Sequence, residues 1–180
     1  MQIFPTKIPD VWLIEPELHG DDRGYFMETF RESYFRARGV ELSFVQDNQS
    51  RSTKGTLRGM HYQREFPQGK LVRVLAGVVY DVAVDLRRES ESLGQWIGEY
   101  LTAENHKQLW VPPGFAHGFY VLSESADLTY KCTNYYHPED ECCLRWDDSD
   151  IAIQWPLLDE NPLLSAKDLA ARPLKETPEF

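Results

Sequence analysis

The sequence predicts a single all-β domain with only minor helix. Apolar and polar residues alternate in many short runs, and turn-forming residues separate these runs. The clearest run is VVYDVAVDL at residues 78–86, in which Asp81 and Asp85 lie on the face opposite the apolar side chains. Many short strands at this spacing are typical of a sandwich or a barrel rather than of an alternating β/α fold.

Ten further runs with the same alternation are predicted as strands. In chain order they are residues 11–15, 24–30, 44–50, 56–63, 70–75, 96–103, 107–111, 116–122, 127–136 and 151–155. Turns are marked by Gly20-Asp21, Gly55, Ala76-Gly77, Pro112-Pro113-Gly114 and His137-Pro138. A short helix is predicted over residues 31–38, where Gly39 provides a C-terminal cap. A second begins near the C-terminus, where Ser165 and Asp168 have the spacing of a capping box.

Length and charge limit the functional classes. The chain has 180 residues, which favours one domain spanning residues 1–180, and a formal net charge of −10. An acidic protein is a poor general nucleic-acid binder, because that function depends on neutralising phosphates. An anionic ligand would therefore need a local group of cations, for which Arg23, Arg58 and Lys70 are the candidates.

The sequence also predicts a cytoplasmic protein without membrane contact. No apolar run approaches the length of a membrane helix, and the first residues lack the pattern of a signal peptide. Cys132, Cys142 and Cys143 are odd in number and contain no C-x-x-C pair. They are expected to be free thiols in a reducing compartment.

Two histidines lie in motifs that resemble the metal motifs of the cupin jelly roll. Gly55 and His61 match the start of G-x5-H-x-H, but Gln63 replaces the next histidine and Gln68 replaces the glutamate that follows. The second motif, P-x-G-x2-H, is matched by residues 112–117, which end at His117. Two histidines and two neutral amides are poor ligands for a divalent cation. The sequence therefore predicts a cupin scaffold without a metal.

Without a metal, His61 is either a satisfied core histidine or an acid–base group. Tyr130 alternates with apolar residues and should also point inward, so the two side chains could form a base and acid pair. Arg58 lies three residues before His61, and a regular strand would place them on opposite faces. Gly59 would permit a bulge that brings both to one pocket.

Several strings together resemble one family. They are FVQDNQS (44–50), LRGMHYQ (57–63), GKLVRVLAG (69–77), QLWVPPGFAHGF (108–119), YKCTNYY (130–136) and LSAKD (164–168). From about residue 1 to residue 172 the chain resembles the dTDP-4-dehydrorhamnose 3,5-epimerases, a metal-free branch of the cupins. The resemblance implies a cupin-type jelly roll, no cofactor, a homodimer, and a role in making dTDP-L-rhamnose from a dTDP-4-keto-6-deoxy sugar.

The resemblance also implies roles for individual residues. It makes His61 the general base, Tyr130 the general acid, Asp168 the carboxylate that orients the histidine, and Lys70 the cation near the substrate carbonyl. The residues alone favour helix capping for Asp168. Contacts with the nucleotide and its phosphates are implied for Arg23, Phe26, Glu28, Gln46, Asn48, Arg58, His117, Glu141 and Lys167.

Four alternatives remain open at this point. An epimerase acting at only C3 or only C5 of a related sugar, and a 3,4-ketoisomerase, are close neighbours. A metal-dependent cupin oxygenase and a non-catalytic sugar-nucleotide binder belong to other classes. We also expect residues 11–15 and 24–30 to form an N-terminal two-stranded unit that joins the partner subunit's sheet and carries Arg23, Phe26 and Glu28 toward its site.

Overall fold

Two antiparallel sheets face each other in a computed structural model that describes residues 1–177. The strands are β1 (Gln2–Pro5), β2 (Trp12–Glu15), β3 (Leu18–Asp21), β4 (Gly24–Met27), β5 (Gln46–Thr53), β6 (Leu57–Gln63), β7 (Lys70–Ala76), β8 (Val78–Asp85), β9 (Trp96–Thr102), β10 (Gln108–Val111), β11 (Phe115–Val121), β12 (Ser125–Cys132) and β13 (Glu141–Cys143). The helices are α1 (Glu32–Arg36), α2 (Ala166–Leu169) and a 3₁₀ turn at Leu174–Glu176. The all-β prediction is confirmed.

The larger sheet has the strand order β1-β2-β10-β7-β12-β5, and the smaller has the order β13-β6-β11-β8-β9. Strands β3 and β4 form a separate hairpin. Because sequence neighbours are often not sheet neighbours, the chain crosses repeatedly between the sheets, as in a jelly roll. No helix within residues 1–177 is long and apolar enough to cross a membrane.

The main core lies between the two sheets, where one side of each strand points inward. Each fully buried Val, Leu, Ile or Phe side chain there stabilises the fold by about 1.5–3 kcal/mol. The larger sheet contributes Val72, Val74, Leu109 and Leu128, and the smaller contributes Val79, Ala83, Ile97 and Phe119.

Strand β8 is buried on both faces. Asp81 and Asp85 lie on the face opposite the apolar side chains, as the alternation predicts, and both are 0% exposed. The apolar residues of β8 pack outward against the segment 151–155, while its aspartates share the inner face with core residues. That segment was itself predicted as a strand, and the structure shows a turn and irregular chain there instead. It acts as a cover over the smaller sheet.

The N-terminal strands also pair differently from the prediction. Strand β2 is not at an edge, because it lies between β1 and β10. The exposed hairpin instead joins β3 to β4, with Leu18 opposite Met27. The predicted strand 24–30 therefore ends at Met27.

Candidate active site

A cavity of about 360 Å³ opens between the two sheets. His61 on β6 and His117 on β11 line it from the smaller sheet, whereas Lys70 on β7 and Tyr130 on β12 line it from the larger sheet. The histidines and Tyr130 therefore project from facing walls. The remaining lining residues are Gln46, Asn48, Ser50, Arg58, Gln68, Phe119, Tyr136, Glu141 and Lys167.

His61 and Asp168 form a partly buried hydrogen-bonded pair across 107 residues of sequence. His61 Nε2 lies 2.5 Å from Asp168 Oδ1, and Asp168 is 4% exposed. Since a carboxylate only accepts, Nε2 carries the proton and donates it, which leaves the lone pair on Nδ1. Nδ1 lies 4.0 Å from Oε1 of the cavity residue Glu141. The histidine therefore has a free basic nitrogen.

Asp168 also caps α2. Its Oδ2 accepts a hydrogen bond from the Ser165 hydroxyl at 2.7 Å, and its backbone N–H donates to the same hydroxyl oxygen at 3.2 Å. The predicted capping box is confirmed. The two interpretations of Asp168 are compatible, because one carboxylate oxygen serves the cap and the other serves the histidine.

Burial sets the protonation of this pair. It lowers the pKa of His61, and the hydrogen bond that His61 donates to Asp168 opposes that shift only in part. Burial also opposes ionisation of Asp168, but hydrogen bonds from His61 and Ser165 outweigh it and hold its pKa below the usual value. At neutral pH the site therefore holds a neutral imidazole beside an ionised carboxylate, the state a general base requires.

The opposite wall carries a cation and a phenol. Burial lowers the pKa of Lys70, and within the described residues no carboxylate lies in salt-bridge distance of its ammonium group. Burial raises the pKa of Tyr130, which therefore keeps its proton at neutral pH. Lys70 can therefore stabilise an oxyanion, and Tyr130 can donate a proton.

A β-bulge lets the side chains of Arg58 and His61 line the same cavity, as the presence of Gly59 predicted. The pairing of β6 with β11 shifts register between the pairs His61–His117 and Arg58–Phe119. Gly59 has φ +135°, and a Cβ atom there would approach the Gly118 Cα to 2.5 Å. Only glycine fits this close crossing of two backbones.

His117 has a buried partner that the sequence did not reveal. Its Nε2 lies 2.8 Å from Oδ1 of Asp81, so the second cavity histidine is also held by a carboxylate. The alternation placed Asp81 on the face opposite the apolar side chains, but it gave no sign that this face lies in the core beside His117. Tyr136 was missed as well. Its hydroxyl donates to Glu141 at 2.9 Å, and Lys167 pairs with the same carboxylate at 2.7 Å.

The cupin ligand positions do not form a common metal site. Gln63 is 3% exposed, and its amide donates to the carbonyls of Phe66 and Tyr135 and accepts from the His137 N–H. It therefore anchors two loops beside the cavity and does not line it.

Three predicted binding residues lie on or after the β3–β4 hairpin and not at the cavity of their own chain. Arg23 pairs with Asp21, Glu28 pairs with Arg31 at 2.7 Å, and Phe26 is 71% exposed. An aromatic side chain so exposed in a hairpin has no core to fill within this subunit.

Comparison with known proteins identifies the family. The family model for dTDP-4-dehydrorhamnose 3,5-epimerase matches residues 5–176. The chain belongs to this family. It is 57% identical to the dTDP-4-dehydrorhamnose 3,5-epimerase of Pseudomonas aeruginosa over 93% of each chain. It is 51% identical to that of Methanothermobacter thermautotrophicus, over 99% of this chain and 97% of the relative.

A solved structure shows the same fold. The crystal structure of dTDP-6-deoxy-D-glucose-3,5-epimerase from Legionella pneumophila, in complex with dTDP-4-keto-L-rhamnose, superposes with a TM-score of 0.94. That protein is 51% identical to this chain, and the match covers 99% of this chain and 98% of the other. The chain is therefore an isomerase of the epimerase type with a cupin-like fold.

Proposed function

We propose that this enzyme epimerises C3 and C5 of dTDP-4-dehydro-6-deoxy-D-glucose and so forms dTDP-4-dehydro-L-rhamnose. The observation that carries the proposal is the placement of a carboxylate-bound histidine and a protonated tyrosine on facing walls of one cavity. Inversion of a carbon needs a proton to leave from one face and another to arrive at the opposite face. His61 and Tyr130 supply those two functions.

Each inversion passes through an enolate. His61 Nδ1 takes the proton from the carbon beside the ketone, and the C–H electrons form a C=C bond while the C4 carbonyl electrons move to its oxygen. Lys70 stabilises that oxygen, which is where negative charge develops. Tyr130 then donates its proton to the other face, the carbonyl re-forms, and both residues exchange protons with solvent before the second carbon reacts. Asp168 stabilises the imidazolium, as a carboxylate does in a serine triad.

The nucleotide part of the substrate requires cations and hydrogen-bonding groups. Arg58 and Lys167 line the cavity and suit the diphosphate. The other contacts that we propose from this chain are Gln46, Asn48, His117 and Glu141, all of which line the same cavity.

We further propose that the enzyme is a homodimer in which the β3–β4 hairpin serves the partner's cavity. The exposure of Phe26 supports this, because its ring could stack on the base while Arg23 meets a phosphate and Glu28 accepts a hydrogen bond. An enzyme that remains a monomer at micromolar concentration with full activity would contradict the arrangement. The free thiols support the further proposal of a cytoplasmic location.

The decisive experiment is proton exchange in D₂O with dTDP-4-dehydro-6-deoxy-D-glucose, followed by NMR. Deuterium should enter at both C3 and C5, and entry at one position would select a single-site epimerase. His61→Asn should abolish exchange at both carbons while dTDP still binds. Tyr130→Phe should retain exchange but lose inversion. Full activity after treatment with a chelator would support a reaction without a metal cofactor.

A further inference from the structure

The Cys143 thiol lies against the His61–Asp168 pair, and the reaction proposed above gives it no role. Cys143 on β13 is directly opposite His61 on β6. The adjacent residues Met60 and Leu144 exchange both backbone hydrogen bonds. The Cys143–His61 pair is therefore of the non-hydrogen-bonded kind, in which side chains on one face approach most closely. One donor atom from each of Cys143, His61 and Asp168 lies within 4.8 Å of the other two.

These donors are the three types that zinc takes in proteins. Zinc binds thiolate, imidazole and carboxylate at about 2.0–2.3 Å in a tetrahedron, and a water commonly fills the fourth position. Ligand atoms in such a tetrahedron are about 3.3–3.8 Å apart, so the cluster needs only small side-chain movements. The charges of the Asp168 carboxylate and a Cys143 thiolate balance a divalent ion. The nearby Lys167 already pairs with Glu141 at 2.7 Å.

We propose that Cys143, His61 and Asp168 form an inhibitory zinc site whose occupation stops epimerisation. On binding, the Cys143 thiol releases its proton to solvent and the sulfur coordinates the ion. Zinc takes the place of the proton on His61 Nε2, and that proton moves to Nδ1. A neutral imidazole that binds zinc through Nε2 has N–H at Nδ1 and no lone pair left to accept a substrate proton. The predicted inhibition rests on His61 as the base, whereas the zinc binding does not.

The adjacent Cys142 provides a matched control. Consecutive strand residues point to opposite faces, so Cys142 faces away from the pair. It lies opposite Tyr62 and packs against the second core cluster, which includes Leu144. Replacement of Cys142 removes a thiol of the same strand without removing a donor from the proposed site.

The test measures epimerase activity in zinc chloride without chelators or added thiols, with magnesium chloride as the control salt. Wild type and Cys142→Ala should lose activity in zinc, keep it in magnesium, and recover it with EDTA. Cys143→Ala should need at least about tenfold more zinc for the same loss. Cys143→Ser, which nearly keeps the side-chain volume, should behave like Cys143→Ala. Equal zinc sensitivity of Cys143→Ala and wild type would overturn the proposed site, and a wild type unaffected by zinc would overturn the proposed inhibition.

Binding is measured separately with cobalt(II) chloride, because thiolate–cobalt coordination gives a charge-transfer absorption in the near ultraviolet. Wild type and Cys142→Ala should show this band, and Cys143→Ala should not. Absence of the band from the wild type would overturn the site. If the band is present and zinc-loaded enzyme still exchanges substrate protons at full rate, the metal site stands, and it is the assignment of His61 as the base that fails.

Discussion

Replacement of Asp168 by Asn tests the proposed base most directly. The asparagine keeps the size of the side chain and can still accept a hydrogen bond, but it has no charge with which to stabilise the imidazolium. Asp168 Oδ1 lies 2.5 Å from His61 Nε2, and at an effective dielectric constant of 20 two unit charges at that separation attract by about 6–7 kcal/mol. The amide dipole and the remaining hydrogen bond replace part of this attraction. We expect kcat to fall by about 10²–10⁴, or about 3–5.5 kcal/mol, as in a serine triad.

Ser165→Ala is the control for this substitution. It removes the hydroxyl that binds Asp168 in the capping box, yet it leaves the His61–Asp168 hydrogen bond in place. The cost should be about 0.5–2 kcal/mol in the free energy of unfolding and less than tenfold in kcat. Deuterium exchange and thermal unfolding measure the two effects. If Asp168→Asn kept kcat within threefold of wild type, or if Ser165→Ala lost as much activity, the carboxylate would not support a catalytic base.

Three further predictions concern the rest of the site. Burial lowers the pKa of His61, and only the neutral form accepts a proton, so kcat/KM should fall with decreasing pH at a midpoint below 6.5; a midpoint above 6.5 would contradict this. Lys70→Met should lower kcat by about 10²–10³ with little change in dTDP affinity, measured by exchange and calorimetry; a large change in affinity with kcat unaffected would make Lys70 a binding residue. Gly59→Ala should lower thermal stability, because a Cβ at φ +135° would approach the Gly118 Cα to 2.5 Å. The expected loss in the free energy of unfolding is about 1–3 kcal/mol. An unchanged melting temperature would show that the backbones of β6 and β11 can move apart.

The sequence predicted the strands and the inward histidines well, because alternation and turn residues are local signals. It could not show which outer faces would be covered. The aspartates of β8 lie opposite the apolar face, as predicted, but the segment 151–155 covers that apolar face, and the aspartate face lies in the core with Asp81 beside His117. The covering segment is distant in the sequence and does not form a strand, so no local pattern links it to β8.

Asp168 shows a second limit of local patterns. Its spacing from Ser165 predicts a cap, and the cap is present. Its contact with His61 depends on where α2 packs against β6, which is a tertiary property. Local patterns also cannot predict which active site the β3–β4 hairpin lies near. The Phe26 side chain is exposed in its own subunit, so its role depends on contacts outside that subunit.

The distribution of charge around the cavity supports a substrate that brings its own negative charge. The chain carries a net charge of −10, yet two cations at the cavity have no carboxylate partner among residues 1–177. Within these residues Arg58 donates to the Ser52 hydroxyl and the Arg51 carbonyl, and Lys70 forms no ion pair. Arg58 is exposed and stays solvated without a ligand, whereas Lys70 is partly buried, where a cation without a counter-charge costs free energy. In the proposed reaction the diphosphate supplies the counter-charge at Arg58 and the developing enolate supplies it at Lys70. In that case added salt should weaken dTDP binding, while Arg58→Gln should reduce the salt dependence as well as the affinity.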